Sequence, residues 1–424
     1  MNMKYSFIVP VYNRPDEVDE LLESLCSQSF KDFEVIIVED GSKKTCKDVC
    51  DKYADILDLY YYYKDNSGPG QSRNYGAERA QGEWLIILDS DVVLPPKYLE
   101  SVECRVESVE FFAEQSGKAE RATAHEQEQT GATGKAAANS PLYTLHSKLA
   151  CFGGPDAAHP SFTPVQKAIS YSMTSFFTTG GIRGGSSPLR GDKRGWGSAS
   201  SPLRGDKRGW GSASSPLRGD KRGALDKFYP RSFNMGIRRD VYLQLGGFSK
   251  MRFGEDIDFS YRIVEAGYQP RLFPDAWVWH KRRTDFRKFF RQVYNSGIAR
   301  INLKKRHPGT LKLVHLLPTI FTLGVFALIL VGAFARIMMV YGNPADFRLW
   351  YWVVVAALAP IFLYSLIILI DSTRLNRSLK VGLLSIPAAF TQLMGYGLGF
   401  IEAWWKRCVL KKDEFQAFEK TFYK

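Results

Sequence analysis

GEWLIILDSD, residues 82–91, is an apolar run that stops abruptly at two carboxylates. Its large apolar residues, 84–88, form a segment too short for a helix and suited to a buried strand. In a strand, alternate side chains share a face, so Asp89 and Asp91 point to one site at the strand's end while Ser90 turns aside. Two hard oxygen donors placed this way suit Mg²⁺ or Mn²⁺ carrying a diphosphate, because such ions take few carboxylates and fill their shell with water and phosphate oxygens. Asp-x-Asp is a common pattern, and on its own it reads as a pair of solvated acids. The surrounding chain decides between the two.

Working outward, YSFIVPV at 5–11 and FEVIIV at 33–38 read as further buried strands. Between them Asn13-Arg14-Pro15 opens a helix with Pro in its first turn. A short helix around 45–53, a strand at 57–63 and the Gly-rich turn NSGPGQSRN opening a helix to residue 80 continue the alternation. Strands and helices in strict turn imply a parallel sheet covered on both faces, with ligands bound beyond the carboxyl ends of its strands. Those ends carry Pro10 to Asn13, Asp40, and Asp89 with Asp91, so polar groups from separate strands face one crevice.

SFIVPVYN, VEDGS, the SRNYGAERAQGEWLIILDSD block and GEDIDFSYRIVEAG, in this order, resemble the family 2 inverting glycosyltransferases with the GT-A fold. The resemblance covers 4–100 and 225–300. It implies an α/β fold, a Rossmann-like nucleotide-diphospho-sugar transferase domain followed by C-terminal transmembrane helices. It also implies that Pro10, Tyr12 and Asp40 line a pocket for uracil or a similar base, with Asn13 and Ser90 completing the donor-binding set and Arg73 near the ribose and diphosphate. Asp89 and Asp91 then hold the metal, Asp91 the more direct ligand of the two. Asp256 becomes the general base with Glu255 beside it, and His280 completes the metal or diphosphate site.

The same chemistry follows from first principles. Displacing a nucleoside diphosphate from a sugar carbon requires charge stabilisation of the leaving group, proton removal from the acceptor hydroxyl, and alignment of both. A divalent ion at Asp89 and Asp91 meets the first need and Asp256 the second. Each residue also has a plainer reading. Asp40 could begin an Asx turn before Gly41. Glu255 and Asp256 sit where a helix N-terminus favours acids. His280, which closes the run AWVWH, could be a satisfied core histidine, and Arg73 a solvated helix residue beside a Gly-rich turn that suits phosphate.

The chain has 424 residues and a formal charge of +13, unevenly placed. A tandem unit, SSPLRGDKRGWGSA, occurs at 186–199 and 200–213 and again in part at 214–224, and its Arg and Lys residues carry much of the excess. With only Leu and Trp to bury, it is expected to be a flexible, duplicated insertion at 186–224 rather than a solenoid. Residues 107–149, poor in large apolar side chains after Phe112, read as a second, low-complexity insertion. The nucleotide-sugar half of the domain is then 1–106, and the acceptor half 150–185 with 225–285. Six cysteines without C-x-x-C pairing, and no secretory signal ahead of them, suit reduced cytosolic thiols.

Basic residues at 281–312 directly precede the apolar region, which points to a membrane surface rather than nucleic acid. Residues 286–310 mix Phe, Val and Tyr with Arg and Lys, as an interfacial helix does. Within 311–403, segments 313–335 and 350–370 are long enough to span a bilayer; 381–401, with Gln392 and GYGLG, is a weaker third span. The positive-inside rule puts the basic stretch and the loop at 374–380 in the cytosol. Three spans would put the basic tail, 404–424, outside; two spans and a re-entrant third would keep it inside.

The reading is a multi-pass protein of the cell (inner or plasma) membrane with a cytoplasmic catalytic domain. It would move a sugar from a nucleotide donor, a UDP-sugar first, to a lipid-linked or polysaccharide acceptor with inversion, using Mg²⁺ or Mn²⁺ and no nucleic acid. Processive synthases carry Q-x-x-R-W after the GED region; here Gln292 is followed by Val293, Tyr294, Asn295 and Ser296, which favours single-sugar transfer. The alternatives are a processive synthase and a non-catalytic membrane protein that keeps a nucleotide-sugar fold.

Overall fold

The computed structural model describes residues 3–111, 149–159, 161–179 and 228–419. The repeat at 186–224 lies outside the described residues, as does most of the segment 107–149. Residues 107–111 continue a helix begun at 98, and Leu149 is buried in the core beside Val106.

The chain opens with strands β1 (Tyr5–Val11), β2 (Phe33–Asp40), β3 (Asp58–Lys64) and β4 (Trp84–Leu88), paired in parallel in the order β3-β2-β1-β4. Later come β5 (Val92–Val93), β6 (Cys151–Gly153), β7 (Asp156–Ala157), β8 (Asn234–Arg238), β9 (Arg271–Leu272) and β10 (Val278–His280). The main sheet has seven strands, continuing from β4 through β8 and β6 to β9. It is mixed, not parallel throughout as the alternating pattern implied, because β8 runs antiparallel to both β4 and β6. The pattern held only where a helix follows each strand; β8 enters from a distant part of the chain, so no crossover constrains its direction.

β1, β2 and β4 are buried along their whole length. Phe7 and Val9 join one apolar cluster with the helix Pro15–Cys26, while Ile8 and Ile36 join another with Tyr242 and Phe259. Apolar layers on both faces are what the uninterrupted runs require. A second sheet, β5-β10-β7, sits beside the end of β4 and pairs His280 with Val92.

Three helices long and apolar enough to cross a membrane follow the α/β domain, Leu317–Tyr341, Phe347–Asn376 and Leu379–Trp404. The helix Phe286–Arg306 precedes them, its buried side carrying Phe289, Val293, Ile298 and Ile301.

Candidate active site

The ends of β1, β2 and β4 open into one cleft of about 760 Å³. β1 contributes Pro10, followed by Tyr12 and Arg14; β2 contributes Asp40; β4 leads to Asp89, Ser90 and Asp91. The helix Pro69–Arg79 adds Arg73, and the helix Glu255–Glu265 adds Glu255 and Asp256 at its N-terminus. Both helices start at glycines with positive φ, Gly68 at 93° and Gly254 at 85°. Only a residue without a β-carbon takes that turn readily, and it aims each first turn at the cleft.

Arg73, 3% exposed, links the early and late acids. Its Nη2 donates to Asp89 Oδ1 at 2.7 Å and its Nη1 to Glu255 Oε1 at 3.3 Å, with the guanidinium over the Phe248 ring. Asp91 Oδ2 accepts from Arg14 Nη1 at 2.8 Å, and Asp91 Oδ1 lies 3.3 Å from His280 Nε2. The second sheet produces that last contact: the Lys281 N–H donates to the Asp91 carbonyl at 2.9 Å, which sets β10 against the residues following β4. Behind the imidazole stands Asp156, itself paired with Arg282.

These neighbours set the charge states. Burial works against ionisation of Asp91, but His280, Arg14 and Arg283 outweigh it and hold the carboxyl well below the usual carboxylate range. Burial pulls His280 down, yet Asp91 and Asp156 push it up to about 9. Burial likewise opposes Asp256, whose pKa is nevertheless lowered by Arg231 and Arg73; Arg231 Nε donates to Asp256 Oδ2 at 2.7 Å. Glu255 moves the other way: burial raises it, Arg73 opposes, and Asp256 adds to the rise. The two adjacent carboxyls are therefore tuned in opposite directions.

Asp89, Asp91 and His280 each bring one donor atom to within 4.8 Å of the others. Two carboxylates and an imidazole fit a divalent ion such as Mn²⁺. The Nδ1 of His280 faces Asp156 Oδ2 at 3.8 Å while Nε2 faces Asp91, and an ion held on the Nε2 side would displace the imidazole's proton there.

Two of the expected residues are otherwise engaged. Asn13 does not line the cleft: at φ 55° its Oδ1 accepts from the Lys43 and Lys44 N–H groups and its own N–H donates to Ser42, closing the loop after β2. An Asn tolerates that left-handed backbone better than most residues, which accounts for its place there. Asp40 lines the cleft but binds the Ser67 and Gly68 N–H groups, each at 2.9 Å, and Lys64, so it also ties the Gly-rich turn to the strand end.

The sequence reading missed Arg14, Asp156, Arg231, Arg252 and Arg283. Arg14 had a signal, a basic side chain three residues past the end of a strand that carries Pro10 and is followed by Tyr12. Arg283 was submerged in a run read as membrane-facing charge. Nothing local singles out Arg231, whose partner is 25 residues away.

Two family models match the chain in order, glycosyl transferase family 2 over residues 6–107 and glycosyl transferase family group 2 over residues 233–368. An uncharacterized glycosyltransferase of Haemophilus influenzae is 42% identical over 97 residues, 23% of this chain and 32% of that one. The poly(ribitol-phosphate) β-N-acetylglucosaminyltransferase TarS of Staphylococcus aureus is 39% identical over 93 residues, 21% of this chain and 16% of its own. The matched stretch thus spans a third or less of these relatives. Among solved structures, a mannosyltransferase from Pyrobaculum calidifontis in complex with GDP-Man and Mn²⁺ aligns over 96% of this chain and 88% of its own, at 13% identity and a TM-score of 0.46.

Proposed function

The chain belongs to glycosyl transferase family 2, and from that premise we propose that it is a membrane-anchored enzyme transferring one sugar from a nucleoside-diphosphate donor to a hydroxyl acceptor with inversion. The observation that carries this reading is the convergence of Asp89 and Asp91, backed by His280, with Glu255 and Asp256 on one cleft.

In this proposal Tyr12, Pro10 and Asp40 receive the base of a UDP-sugar. Arg14, Arg73, Arg252 and Arg283, which share the lining, counter the charge of the diphosphate. Asp89, Asp91 and His280 would hold Mg²⁺ or Mn²⁺, which supplies Lewis-acid stabilisation of the departing diphosphate. Asp256 accepts the acceptor's proton as the new oxygen–carbon bond forms and the carbon–oxygen bond to the diphosphate breaks, the bonding pair leaving with the nucleotide. No second carboxylate is required as nucleophile, so the carbon inverts. Glu255 positions Arg73 through the 3.3 Å pair. The acceptor is taken to be lipid-linked or a polysaccharide; the three apolar helices support a membrane anchor, and the proposal puts the domain on the cytoplasmic face.

The test is a panel of UDP-, GDP- and dTDP-sugars offered to the full chain in membranes with Mn²⁺. Turnover or tight binding of at least one donor, abolished by EDTA and by Asp91→Ala, is expected. If every donor is neither bound nor consumed under any of Mg²⁺ or Mn²⁺, the reading is wrong.

A further inference from the structure

The third apolar helix does not run along the first two. Helices Leu317–Tyr341 and Phe347–Asn376 form an antiparallel hairpin, with Phe334 against Trp350 near its tip and Phe321 against Tyr364 toward its base. The third helix, Leu379–Trp404, meets the hairpin at that base. Its early residues meet the end of the second helix: Gly382 lies on Thr373, Ser385 bonds Ser372 at 2.7 Å, and Ala389 packs with Ile368. Its later residues meet the start of the first: the Thr322 hydroxyl reaches the Leu393 carbonyl, and Gly397 lies on Pro318. It therefore passes from one leg of the hairpin to the other across its foot.

A second set of contacts binds this helix to the catalytic domain. It runs side by side with the helix Phe286–Arg306, with Gly395 on Val293 and Phe290, Gly399 on Tyr294, and Phe400 and Ala403 on Ile298 and Ile301. The segment beyond it then folds back onto the same domain. Glu414, buried, accepts from Arg306 at 3.2 Å and from the N–H of Arg252, a residue of the catalytic cleft. Arg407 donates to Asn302 at 3.0 Å.

We propose that only the first two apolar helices cross the membrane, while the third lies along the membrane surface as part of a platform under the catalytic domain. Chain continuity requires this: both ends of the apolar region are held on the catalytic domain, so the number of crossings between them is even. A third crossing would carry Glu414 to the far side and leave its carboxylate buried away from Arg306. The half-buried, less apolar character of the third helix suits a segment that faces protein on one side and lipid on the other.

The inference rests on the helices being membrane-embedded, which carbonate-resistant sedimentation of the full chain tests separately. Given that, Ala345→Cys marks the hairpin tip and Lys412→Cys the returning tail, while the exposed native Cys104 reports the catalytic domain. An impermeant maleimide applied to sealed vesicles of known orientation should label Lys412→Cys together with Cys104 and reach Ala345→Cys only from the opposite face. Labelling of the tail with the tip overturns the proposal, and so does labelling of all three from one face.

Discussion

At the residue scale the pair Glu255–Asp256 shows how one helix start can hold two carboxyls of opposite bias. Asp256 is lowered despite burial because Arg231 and Arg73 face it, whereas Glu255 is raised by burial. If Asp256 is the base, Asp256→Asn should lower kcat by roughly 10²–10⁴-fold with donor binding retained, measured by turnover beside donor titration. The sign of the pH dependence follows from its partner. Activity needs the ionised carboxylate and is lost as pH falls through its depressed pKa. Arg231→Gln removes a charge that depresses it, so the acidic limb of kcat should move to higher pH. A limb that stays where it was would detach Arg231, and with it Asp256, from the proton transfer.

At the element scale the decisive junction is between the helices Phe286–Arg306 and Leu379–Trp404. Gly399 approaches the Tyr294 carbonyl so closely that an added β-carbon would overlap it, while Gly324 in the first apolar helix has open space around it. Overfilling a packed contact costs about 1–3 kcal/mol, so Gly399→Val should lower the unfolding temperature in detergent by a few degrees or more. Gly324→Val, unopposed by any neighbour, should leave it nearly unchanged; equal effects would mean the junction is loose. The GYGLG stretch was legible as a helix-packing surface because small residues mark close approach. Its partner was not, since nothing in the sequence pairs residue 399 with residue 294.

At the scale of the whole molecule, the repeat at 186–224 enters between two parts of the α/β domain, after the helix Phe176–Thr179 and before β8. Its unit offers only Leu and Trp as large apolar side chains, too few for a contribution to the core to be expected from the sequence. Deleting residues 187–222 should therefore leave donor turnover within a few-fold of the full chain; complete loss would give the segment a part in the reaction.

What the sequence by itself determined was whatever depends on neighbours a few positions apart. Runs of five to eight apolar residues become buried strands, acids just past a strand end stand at its mouth, and long apolar runs become helices; Asp40, Asp89, Asp91 and the helix starting at Glu255 were readable for that reason. Tertiary structure alone decided the antiparallel entry of β8, the arginines opposite each acid, the diversion of Asn13 to its own loop, and the return of Glu414 to Arg306. Each of these joins residues tens to hundreds of positions apart. Which distant groups meet is settled by how the sheet and helices close on one another, a property that no local pattern of side chains encodes.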